Sequence, residues 1–533
     1  MAGLSSPQHP QHAPHPSELV EPYDEMVEGE TPRHSHRALH EILTNFGPTD
    51  LHERARQRDA YLDRHGITFS LAGRERPLPL DLVPRLITTD EWAVIEAGII
   101  QRIRALEAFL ADVYSEGAIM REGVIPRALV TSSTHYHRQA WGIEPVNGVR
   151  IHVSGSDLIR DENGKFRVLE DNLRNPSGVS YVLENRRTLA HVLPEIFIKH
   201  RVKSVNEYPE KLLDALRAAA PAQVDEPTVV VLTPGVHNSA HYEHAFLARR
   251  MGVELVEGRD LYCRDQTVWM RTTAGPRPVH VIYRRIDDEF LDPLHMRADS
   301  VLGVPGLLNV ARAQRVSIAN GIGNGVADDK AVYPYVPEFI RYYLGQEPIL
   351  DNVETFDLAD PDHRALVFDR MDRMVIKPAD GSGGYGLVMG PDASDEQLEV
   401  VRRDIEADPR GWIAQPVITF STCPTVVDEG AVEPRHVDLR PFAVNDGESV
   451  YVLPGGLSRV ALPRGSLVVN SSQGGGSKDT WVLDEDGPRV VAPPAVPRAV
   501  VLETEAPARL DAPNQHEDRL VQQERQQQQE RSC

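Results

Sequence analysis

The chain of 533 residues predicts a mixed α/β (α+β) protein, and three stretches carry that prediction. Residues 37–118 repeat apolar side chains at intervals of three and four, a spacing typical of amphipathic helices. Residues 149–172 change to the rhythm of strands around an Asn-Gly turn, which indicates a β-hairpin. Residues 227–259 pass from a buried strand to a helix and a second strand, a βαβ pattern that predicts a parallel sheet.

The N-terminal part of the chain divides into an arm and a helical region. Residues 1–33 are rich in Pro, His, Gln and Glu, so we expect a disordered arm. Residues 34–120 are expected to be helical, and Thr89-Asp90 offers a cap for the longest helix.

Two strand-rich regions follow. Residues 121–204 are expected to hold the hairpin, which runs through "VRIHVSGSDLIRD", turns at Glu162-Asn163-Gly164 and returns through "KFRVLEDN". Residues 205–325 contain the βαβ pattern and a further strand, "HVIYRRIDDEF", so we expect a parallel-sheet domain there.

The last structured region, residues 326–483, is expected to be an α+β unit built from antiparallel hairpins. A helix-prone stretch, Lys330 to Leu344, precedes the glycine-rich segment "VIKPADGSGGYG". A helix, "SDEQLEVVRRDIEA", and several strands come after it. The tail, residues 484–533, ends in a Gln-rich run and is expected to be disordered.

Composition excludes several classes of protein. The formal net charge of −22 argues against a nucleic-acid partner, because phosphate backbones are bound through an excess of Lys and Arg, and it disfavours an anionic membrane surface. The three cysteines are scattered and form neither a disulfide framework nor a CxxC site. The N-terminus lacks a secretory signal pattern and no apolar run approaches about 20 residues, so we expect a cytoplasmic protein.

The glycine-rich segment has the composition of a phosphate-binding loop. Gly381, Gly383 and Gly386 fit GxGxxG, but the dinucleotide fingerprint requires a following helix, and here strand-like "GLVMG" follows. The pattern fits a flexible hairpin that folds over a triphosphate, with Lys377 on its incoming strand. For the glycines alone, a surface turn is an equal alternative.

The hairpin of residues 149–172 carries a candidate metal site. Glu170 and Asn172 lie two residues apart, so they share one face of their strand, and Asp157 lies on the partner strand. Mg²⁺ takes a few protein oxygens and completes its shell with water and substrate phosphates. The alternative is an ordinary solvated polar face.

The order of these motifs resembles the ATP-grasp superfamily in a rotated form. "ADDKAVYP" is similar to the Asp-Lys helix start of that superfamily, and "WIAQPVI" is similar to its hinge strand. "GGLSRVALPRGSLVVNSSQGGG" resembles its arginine strand and Asn…Gly-Gly turn. The metal hairpin, which normally comes last, precedes the parallel-sheet region here. This order is that of the circularly permuted ATP-grasp family, and the resemblance covers roughly residues 120–483.

The resemblance implies an ATP-grasp fold, ATP and Mg²⁺ (or Mn²⁺) as cofactors, and an ADP-forming ligase that joins a carboxylate to an amine or thiol through an acylphosphate. The residues that it implies fall into three groups. The nucleotide-binding group is Lys330, Lys377, Gly381, Ser382, Gly383, Gly384, Gly386, Gln415 (where the superfamily usually has Glu) and Val417. The catalytic group is Lys377, Arg459 and Asn470, with Gly474 and Gly475 in the turn. The metal group is Asp157, Glu170 and Asn172.

Candidate substrate contacts are Arg174, Ser177, His237, Asn238 and Arg284. For Arg174 a salt bridge is an equal alternative, and for Arg284 the alternative is an ion pair with Asp287 or Asp288. A zinc site formed by His237, His241 and His244 is a weaker hypothesis.

Two other activities stay open: an ATP-grasp phosphotransferase acting on a hydroxyl, and a nucleotide-binding scaffold without turnover. A peptide or small amino compound is the expected substrate. The family also suggests a small helical partner protein, and a homo-oligomer is compatible with the sequence.

Overall fold

The computed structural model describes residues 21–71, 74–77, 79–222, 224–380, 386–427, 430–469, 474–484 and 523. These ranges combine helices with parallel and antiparallel sheets, so the predicted mixed fold class is confirmed. Across the same ranges, none of the helices is both long and apolar enough to cross a bilayer. Nearly all of the predicted tail, and Gly381, Ser382, Gly383, Gly384 and Asn470, lie outside the described residues.

The N-terminal part contains more strand than the sequence predicted. Its helices are α1 (Arg37–Asn45), α2 (Pro48–Arg64) and α3 (Thr89–Val113), and its strands are β1 (Val27–Glu28), β2 (Thr31–Pro32), β3 (Thr68–Leu71), β4 (Arg74–Pro77) and β5 (Arg85–Ile87). Strands of two to four residues are too short to give a clear period of two, so periodicity showed only the helices.

The predicted disordered arm is ordered in its second part. Residues 21–33 contain the β1–β2 hairpin, and Glu25 is buried in an ion pair with Arg85. One buried carboxylate fixes this segment, which composition alone does not show. The cap of α3 also lies one residue earlier than expected: Thr88 accepts the N–H of Glu91, whose carboxylate accepts the N–H of Thr88.

The predicted metal hairpin is present at the centre of a five-stranded sheet. The elements of this part are α4 (Ala118–Arg121), α5 (Arg127–Thr131), β6 (Val153–Arg160), β7 (Phe166–Asn172), α6 (Val179–Val192) and α7 (Pro194–Lys199). Strands β6 and β7 pair antiparallel on either side of the Asn-Gly turn. Helix α3 lies against this sheet, where Arg102 of the helix forms a buried ion pair with Asp171 of β7.

The predicted parallel sheet is confirmed. Its strands run in the order β14-β13-β8-β9, and every neighbouring pair is parallel. The elements of this part are α8 (Tyr208–Ala218), β8 (Val229–Leu232), α9 (His241–Met251), β9 (Glu254–Val256), β10 (Leu261–Arg264), β11 (Thr267–Met270), β12 (Arg277–Val279), β13 (Val281–Arg284), α10 (Leu307–Arg312) and β14 (Ser317–Ala319). Strands β10–β12 form a separate antiparallel meander.

A small lobe with its own apolar core follows. The segments that precede the lobe form α11 (Gly325–Asp328), α12 (Val336–Phe339) and β15 (Asp351–Asn352). The lobe itself contains β16 (Phe356–Asp357), α13 (Pro361–Phe368), β17 (Met374–Pro378), β18 (Val388–Met389), α14 (Asp395–Ala407) and β19 (Trp412–Pro416). We call the described residues of 356–416 the small lobe. Its antiparallel sheet, β16-β19-β17-β18, packs through a cluster distinct from the main core: Leu358, Val367, Met371, Met374, Ile376, Val401, Ile405 and Ala414.

The last strands return to the main body. They are β20 (Thr422–Val426), β21 (Val432–His436), β22 (Phe442–Asn445), β23 (Val450–Val452), β24 (Leu457–Val460) and β25 (Gly476–Val482). The central sheet has the order β15-β7-β6-β22-β23, so strands from distant parts of the chain flank the hairpin. Strand β25 pairs with β24 and, in parallel, with β5 from the N-terminal region.

Candidate active site

The hairpin places its three predicted metal ligands on one face. Asp157 and Glu170 lie directly opposite each other in the β6–β7 ladder, and Asn172 lies opposite Gly155. Because side chains alternate along a strand, Glu170 and Asn172 point to the same side, and the cross-strand partner of Glu170 joins them there. A side chain at position 155 would press on Pro176 and Arg440, so Gly155 leaves the space that Arg440 occupies.

Asp157 is held by two arginines, which we call the arginine clamp. The guanidinium of Arg440 donates to both carboxylate oxygens at 2.5 and 2.8 Å, and Nη2 of Arg459 donates to Oδ2 at 2.6 Å. Arg459 is held in turn by the buried carboxylate of Asp438. Burial alone would raise the pKa of Asp157, but Arg440 and Arg459 hold it below its ordinary value. The carboxylate of Asp157 is therefore ionised, and its orientation is fixed by the two arginines.

Glu170 is the more open carboxylate. Its side chain is 25% exposed, and its nearest cations are Nζ of Lys330 at 3.5 Å and Nη2 of Arg440 at 3.9 Å. These separations are longer than a charge-assisted hydrogen bond, so Glu170 keeps coordination capacity toward the cleft. Lys330 reaches it from the short segment after α11, where its backbone N–H donates to the carbonyl of Ala379 in the small lobe.

Lys377 brings the small lobe to the same site. Burial lowers the pKa of Lys377 to about 8, with Lys330 lowering it further and Glu170 and Asp157 acting in the opposite sense. These charges act on Lys377 because β17 faces the hairpin across the cleft. Nζ of Lys377 donates to Oε1 of Gln415 at 2.6 Å, so its direct partner is a neutral amide.

The hinge strand β19 fixes that amide. The orientation of the amide is fixed because Nε2 of Gln415 donates to Oγ1 of Thr355 at 2.9 Å, so Oε1 is directed toward Lys377. The N–H of Val417, at the end of the hinge, already donates to the carbonyl of Arg373. A nucleotide contact of Val417, as the family resemblance implies, would therefore use its carbonyl oxygen.

The ligand set fits the magnesium ion that the resemblance implies. Glu170 and Asn172 offer hard oxygens on one face, and Asp157 adds a carboxylate beside them. The amide nitrogen of Asn172 is buried and has no hydrogen-bond partner within the described ranges, so this side chain is not committed to another protein group. In those ranges no three His, Cys, Asp or Glu side chains form a group that could hold a metal ion by themselves.

Arg174 and Ser177 lie on the turn that follows the hairpin. Nε of Arg174 donates to Oδ2 of Asp328 at 2.8 Å, so the predicted alternative of a salt bridge is present. Within the described part of the chain, its two terminal amino groups make no hydrogen bond, and the side chain is one-fifth exposed. Ser177 is half-buried in a turn. The carboxylate of Glu243 fixes the backbone of this turn by accepting the N–H groups of Gly178 and Ser180.

The three histidines of the zinc hypothesis lie at the start of helix α9: His241 and His244 are in its first turn, and His237 precedes it. His237 is exposed and Asn238 is buried, while Nδ1 of His244 pairs with Oγ1 of Thr233 at 2.9 Å. The rings of His241 and His244 lie 6.4 Å apart, and they belong to no metal cluster among the described residues. The structure gives no support to the zinc hypothesis.

Arg284 has a structural environment rather than an open one. It is fully buried and donates to the carbonyls of Asn320, Ile286 and Gly321. It also forms the ion pair with Asp288 that the sequence left as an alternative. Because these bonds occupy its guanidinium inside the protein, the structure does not support Arg284 as a substrate contact.

His135 is a site residue that the sequence analysis missed. Its side chain and that of Arg174 both pack over Gly325, where a side chain would collide with each of them. Burial lowers the pKa of His135 well below its ordinary value, and Arg174, His137 and Lys330 lower it further. It is therefore a neutral imidazole among cations. The clustered polar and aromatic residues of "SSTHYHRQAW" were the available signal.

Asp438 was also missed, because "HVDLRPF" reads as one continuous strand. The segment instead links β21 to β22 through isolated bridges, Val437 to Val460 and Arg440 to Leu457. This break turns the carboxylate of Asp438 toward Arg459.

The fold and the geometry together define an ATP-grasp protein. The lysine of the small lobe and the carboxylates of the central hairpin lie within electrostatic range of each other, with Lys330 between the two parts of the chain. The chain matches the family described as circularly permuted ATP-grasp type 2 over residues 84–461, and it belongs to that family. The predicted family and fold are therefore confirmed.

Relatives of similar length occur in bacteria. A protein of Mycobacterium tuberculosis (strain ATCC 25618 / H37Rv) is 62% identical over 446 residues, which are 83% of this chain and 81% of that protein. A protein of Synechocystis sp. (strain ATCC 27184 / PCC 6803 / Kazusa) is 48% identical over 86% of this chain and 97% of its own length.

Two further similarities carry functional names. A Frankia casuarinae protein named "Putative glutamate--cysteine ligase 2-2" is 45% identical over 89% of this chain, but the match spans only 55% of that longer protein. A solved structure of a glutathione synthetase like-effector from Globodera pallida superposes with a TM-score of 0.54 over 82% of this chain and 98% of its own. At 12% identity, this second likeness concerns the fold alone.

Proposed function

We propose that the protein is an ATP-dependent ligase that joins a carboxylate to an amine through an acylphosphate, with release of ADP and phosphate. One observation carries the proposal: Glu170 on the hairpin, Lys330 after α11 and Lys377 on the small lobe act on one another electrostatically across one cleft. Alternating acidic and basic groups of this kind suit a metal-bound triphosphate, whose charge must be neutralised during transfer.

The nucleotide would lie between the two parts of the cleft. Lys330 and Lys377 would pair with phosphate oxygens, and Gln415 and Val417 on the hinge would face the base. Glu170 and Asn172, with Asp157 beside them, would hold Mg²⁺ or Mn²⁺, which would supply positive charge to offset that of the triphosphate during transfer. The glycine segment after β17 would cover the phosphates.

Arg459 would act on the acyl group. Nε and Nη2 of Arg459 are held by Asp438 and Asp157, and Nη1 makes no hydrogen bond within the described ranges. A guanidinium fixed on one side presents its remaining donor in one direction, which suits an oxyanion or a phosphoryl oxygen. Asn470 is proposed beside it from the family motif.

The substrate carboxylate would bind at Arg174. Asp328 holds Nε of its guanidinium, and the two terminal amino groups make no hydrogen bond to the described residues, so they would be available for a two-point contact. Ser177 lies on the adjoining turn, and His135 packs beside Arg174. The name of the Frankia relatives is compatible with an amino-acid substrate, but it belongs to proteins nearly twice as long as the matched region.

The test is a screen for substrate-dependent ADP release over pooled amino acids, peptides and polyamines. The wild type and Glu170→Ala would be compared with Glu162→Ala, the same change at the far end of the same hairpin. We expect ADP release from the wild type and Glu162→Ala, and none from Glu170→Ala. Hydroxylamine should trap an acylphosphate; a phosphorylated hydroxyl product would instead identify a phosphotransferase. Equal release by all three proteins would contradict the assigned site.

A further inference from the structure

The N-terminal segment places one carboxylate, that of Glu25, in the interior of the protein. Glu25 is 1% exposed, although it lies outside the residues 84–461 that match the family. Its oxygens accept from Nε and Nη2 of Arg85 at 2.9 and 2.6 Å, and from Oγ of Ser421 at 2.6 Å. Burial alone would raise the pKa of Glu25, but Arg85 and Arg160 hold it well below its ordinary value, so Glu25 is ionised.

The backbone of the segment is fixed as well. The N–H of Glu25 donates to the carbonyl of Thr422 at 3.0 Å, and the N–H of Thr422 donates to the carbonyl of Tyr23 at 2.9 Å. The carboxylate of Asp24 accepts the N–H groups of Met26 and Val27. The segment thus pairs with strand β20 and delivers one charged side chain into the interior.

Arg85 connects that carboxylate to the arginine clamp. Its Nη1 donates to the backbone carbonyl of Asp438 at 2.8 Å and reaches Oγ of Ser458 at 3.3 Å. The carboxylate of Asp438 holds Arg459, and Arg459 holds Asp157 at 2.6 Å. Five buried groups therefore form one continuous chain of contacts from the N-terminal segment to the metal hairpin.

We propose that Glu25 is a positioning residue of the active site, acting through Arg85 to hold Asp438 in place for Arg459. This inference rests on the proposed function of Arg459. The physical reason is support along the chain of contacts. Glu25 neutralises and orients the fully buried Arg85, whose Nη1 holds the backbone carbonyl of Asp438. The carboxylate of Asp438 in turn fixes Arg459. Without Glu25, Arg85 loses its anionic partner and its orientation, so Asp438 is held less firmly and Arg459 loses its fixed direction.

The first test compares Glu25→Gln with Glu28→Gln. Both variants remove one carboxylate from the same segment, but Glu28 is exposed and pairs only distantly with Arg33, at 3.6 Å. With fully folded protein, we expect Glu25→Gln to lower kcat for ADP release by about tenfold to a hundredfold, as misplacement of a catalytic group does. KM for ATP should stay within about threefold, because the nucleotide contacts are elsewhere. Glu28→Gln should match the wild type, and Glu25→Asp should recover part of the loss.

The double variant Glu25→Gln/Arg85→Met separates positioning from stability. It removes both charges, so no buried cation is left without a partner, and the urea midpoint should return toward that of the wild type. The carbonyl of Asp438 loses its donor in this variant, so kcat should stay low. A kcat that recovers together with the midpoint would overturn the proposal, and so would a wild-type kcat in folded Glu25→Gln.

Crystal structures of the wild type and the double variant give a readout that does not need turnover. We expect the contact of 2.6 Å between Arg459 and Asp157 to be lost or redirected in the variant. An unchanged contact would overturn the inference. If the wild type shows no substrate-dependent ADP release, the ligase proposal fails, while this comparison still tests the role of Glu25.

Discussion

The hairpin β6–β7 and the small lobe hold their charged groups in opposite ways. On the hairpin, Asp157 is fully enclosed by the arginine clamp, and its neighbour Asp171 is bound by Arg102 from α3. On the lobe, the ammonium of Lys377 donates to a neutral glutamine as its one hydrogen-bond partner among the described residues, and its pKa is lowered. Asp157 and Asp171 of the hairpin carry charge that arginines already compensate, whereas Lys377 of the lobe carries charge that a ligand has still to compensate.

This difference suggests which part adapts to the nucleotide. The hairpin lies within the central sheet and the main core, while the lobe packs through its own small cluster. The lobe is joined to the body by local contacts, among them the ion pair of Arg410 with Asp329. The hairpin is packed deeply in the central sheet, and the small lobe packs separately. Such an arrangement is suited to closure of the lobe over a ligand.

The largest expected effect is a loss of stability from a change on the hairpin β6–β7. In Asp157→Asn, two buried arginines lose their shared carboxylate, and the free energy of unfolding should fall by about 3–5 kcal/mol. Urea denaturation measures the change. Glu170→Gln is the matched control on the same hairpin: its carboxylate is partly exposed and its ion pairs are long, so stability should change by about 0.5 kcal/mol or less. Equal losses would contradict the inference that the fold depends on the buried carboxylate of Asp157 and not on the more open one of Glu170.

The next effect is on the lobe and depends on pH. Free Lys377 is protonated below about pH 8 and neutral above it. Phosphate binds the protonated form, so ATP affinity should be full below pH 8 and fall as the pH rises through 8, approaching tenfold per pH unit. Calorimetric titrations in buffers of different ionisation enthalpy should show proton uptake near pH 8. Lys377→Arg, which keeps its charge, should flatten the profile; an identical profile in that variant would assign the titration to another group.

The smallest effect concerns the partner of Lys377. In Gln415→Glu, a carboxylate replaces the amide that accepts from Nζ, and the pKa of Lys377 should rise by roughly one unit or more. The fall in ATP affinity should move to higher pH by the same amount. Gln397→Glu is the control, since it makes the same substitution at an exposed position of the same lobe. A shift in both variants would indicate a general charge effect.

The sequence predicted the elements whose pattern is local. The β6–β7 hairpin, the βαβ unit around α9 and helix α14 all appear where periodicity and turns placed them. The sequence did not predict the short strand β5, whose pairing with β25 joins segments about 400 residues apart. Nor did it predict order at Glu25, since one buried ion pair has no compositional signal.

The candidate site shows the same division. Motif order predicted that Asp157, Glu170, Lys330 and Lys377 share one site, and in the structure the charges of the other three act on Lys377. It did not show that Asp157 is bound by two arginines or that Arg284 is enclosed by carbonyl groups, because both depend on how distant segments pack. The sequence shows which residues are charged, but the group that each charged side chain contacts is known only from the folded structure.

The most direct test of a shared site is a crystal structure with Mn²⁺ and a non-hydrolysable ATP analogue. The account predicts an anomalous Mn²⁺ peak about 2.2 Å from a carboxylate oxygen of Glu170, with Nζ of Lys377 against a phosphate oxygen of the same nucleotide. A nucleotide bound elsewhere, or a metal that contacts neither Glu170 nor Asn172, would contradict it.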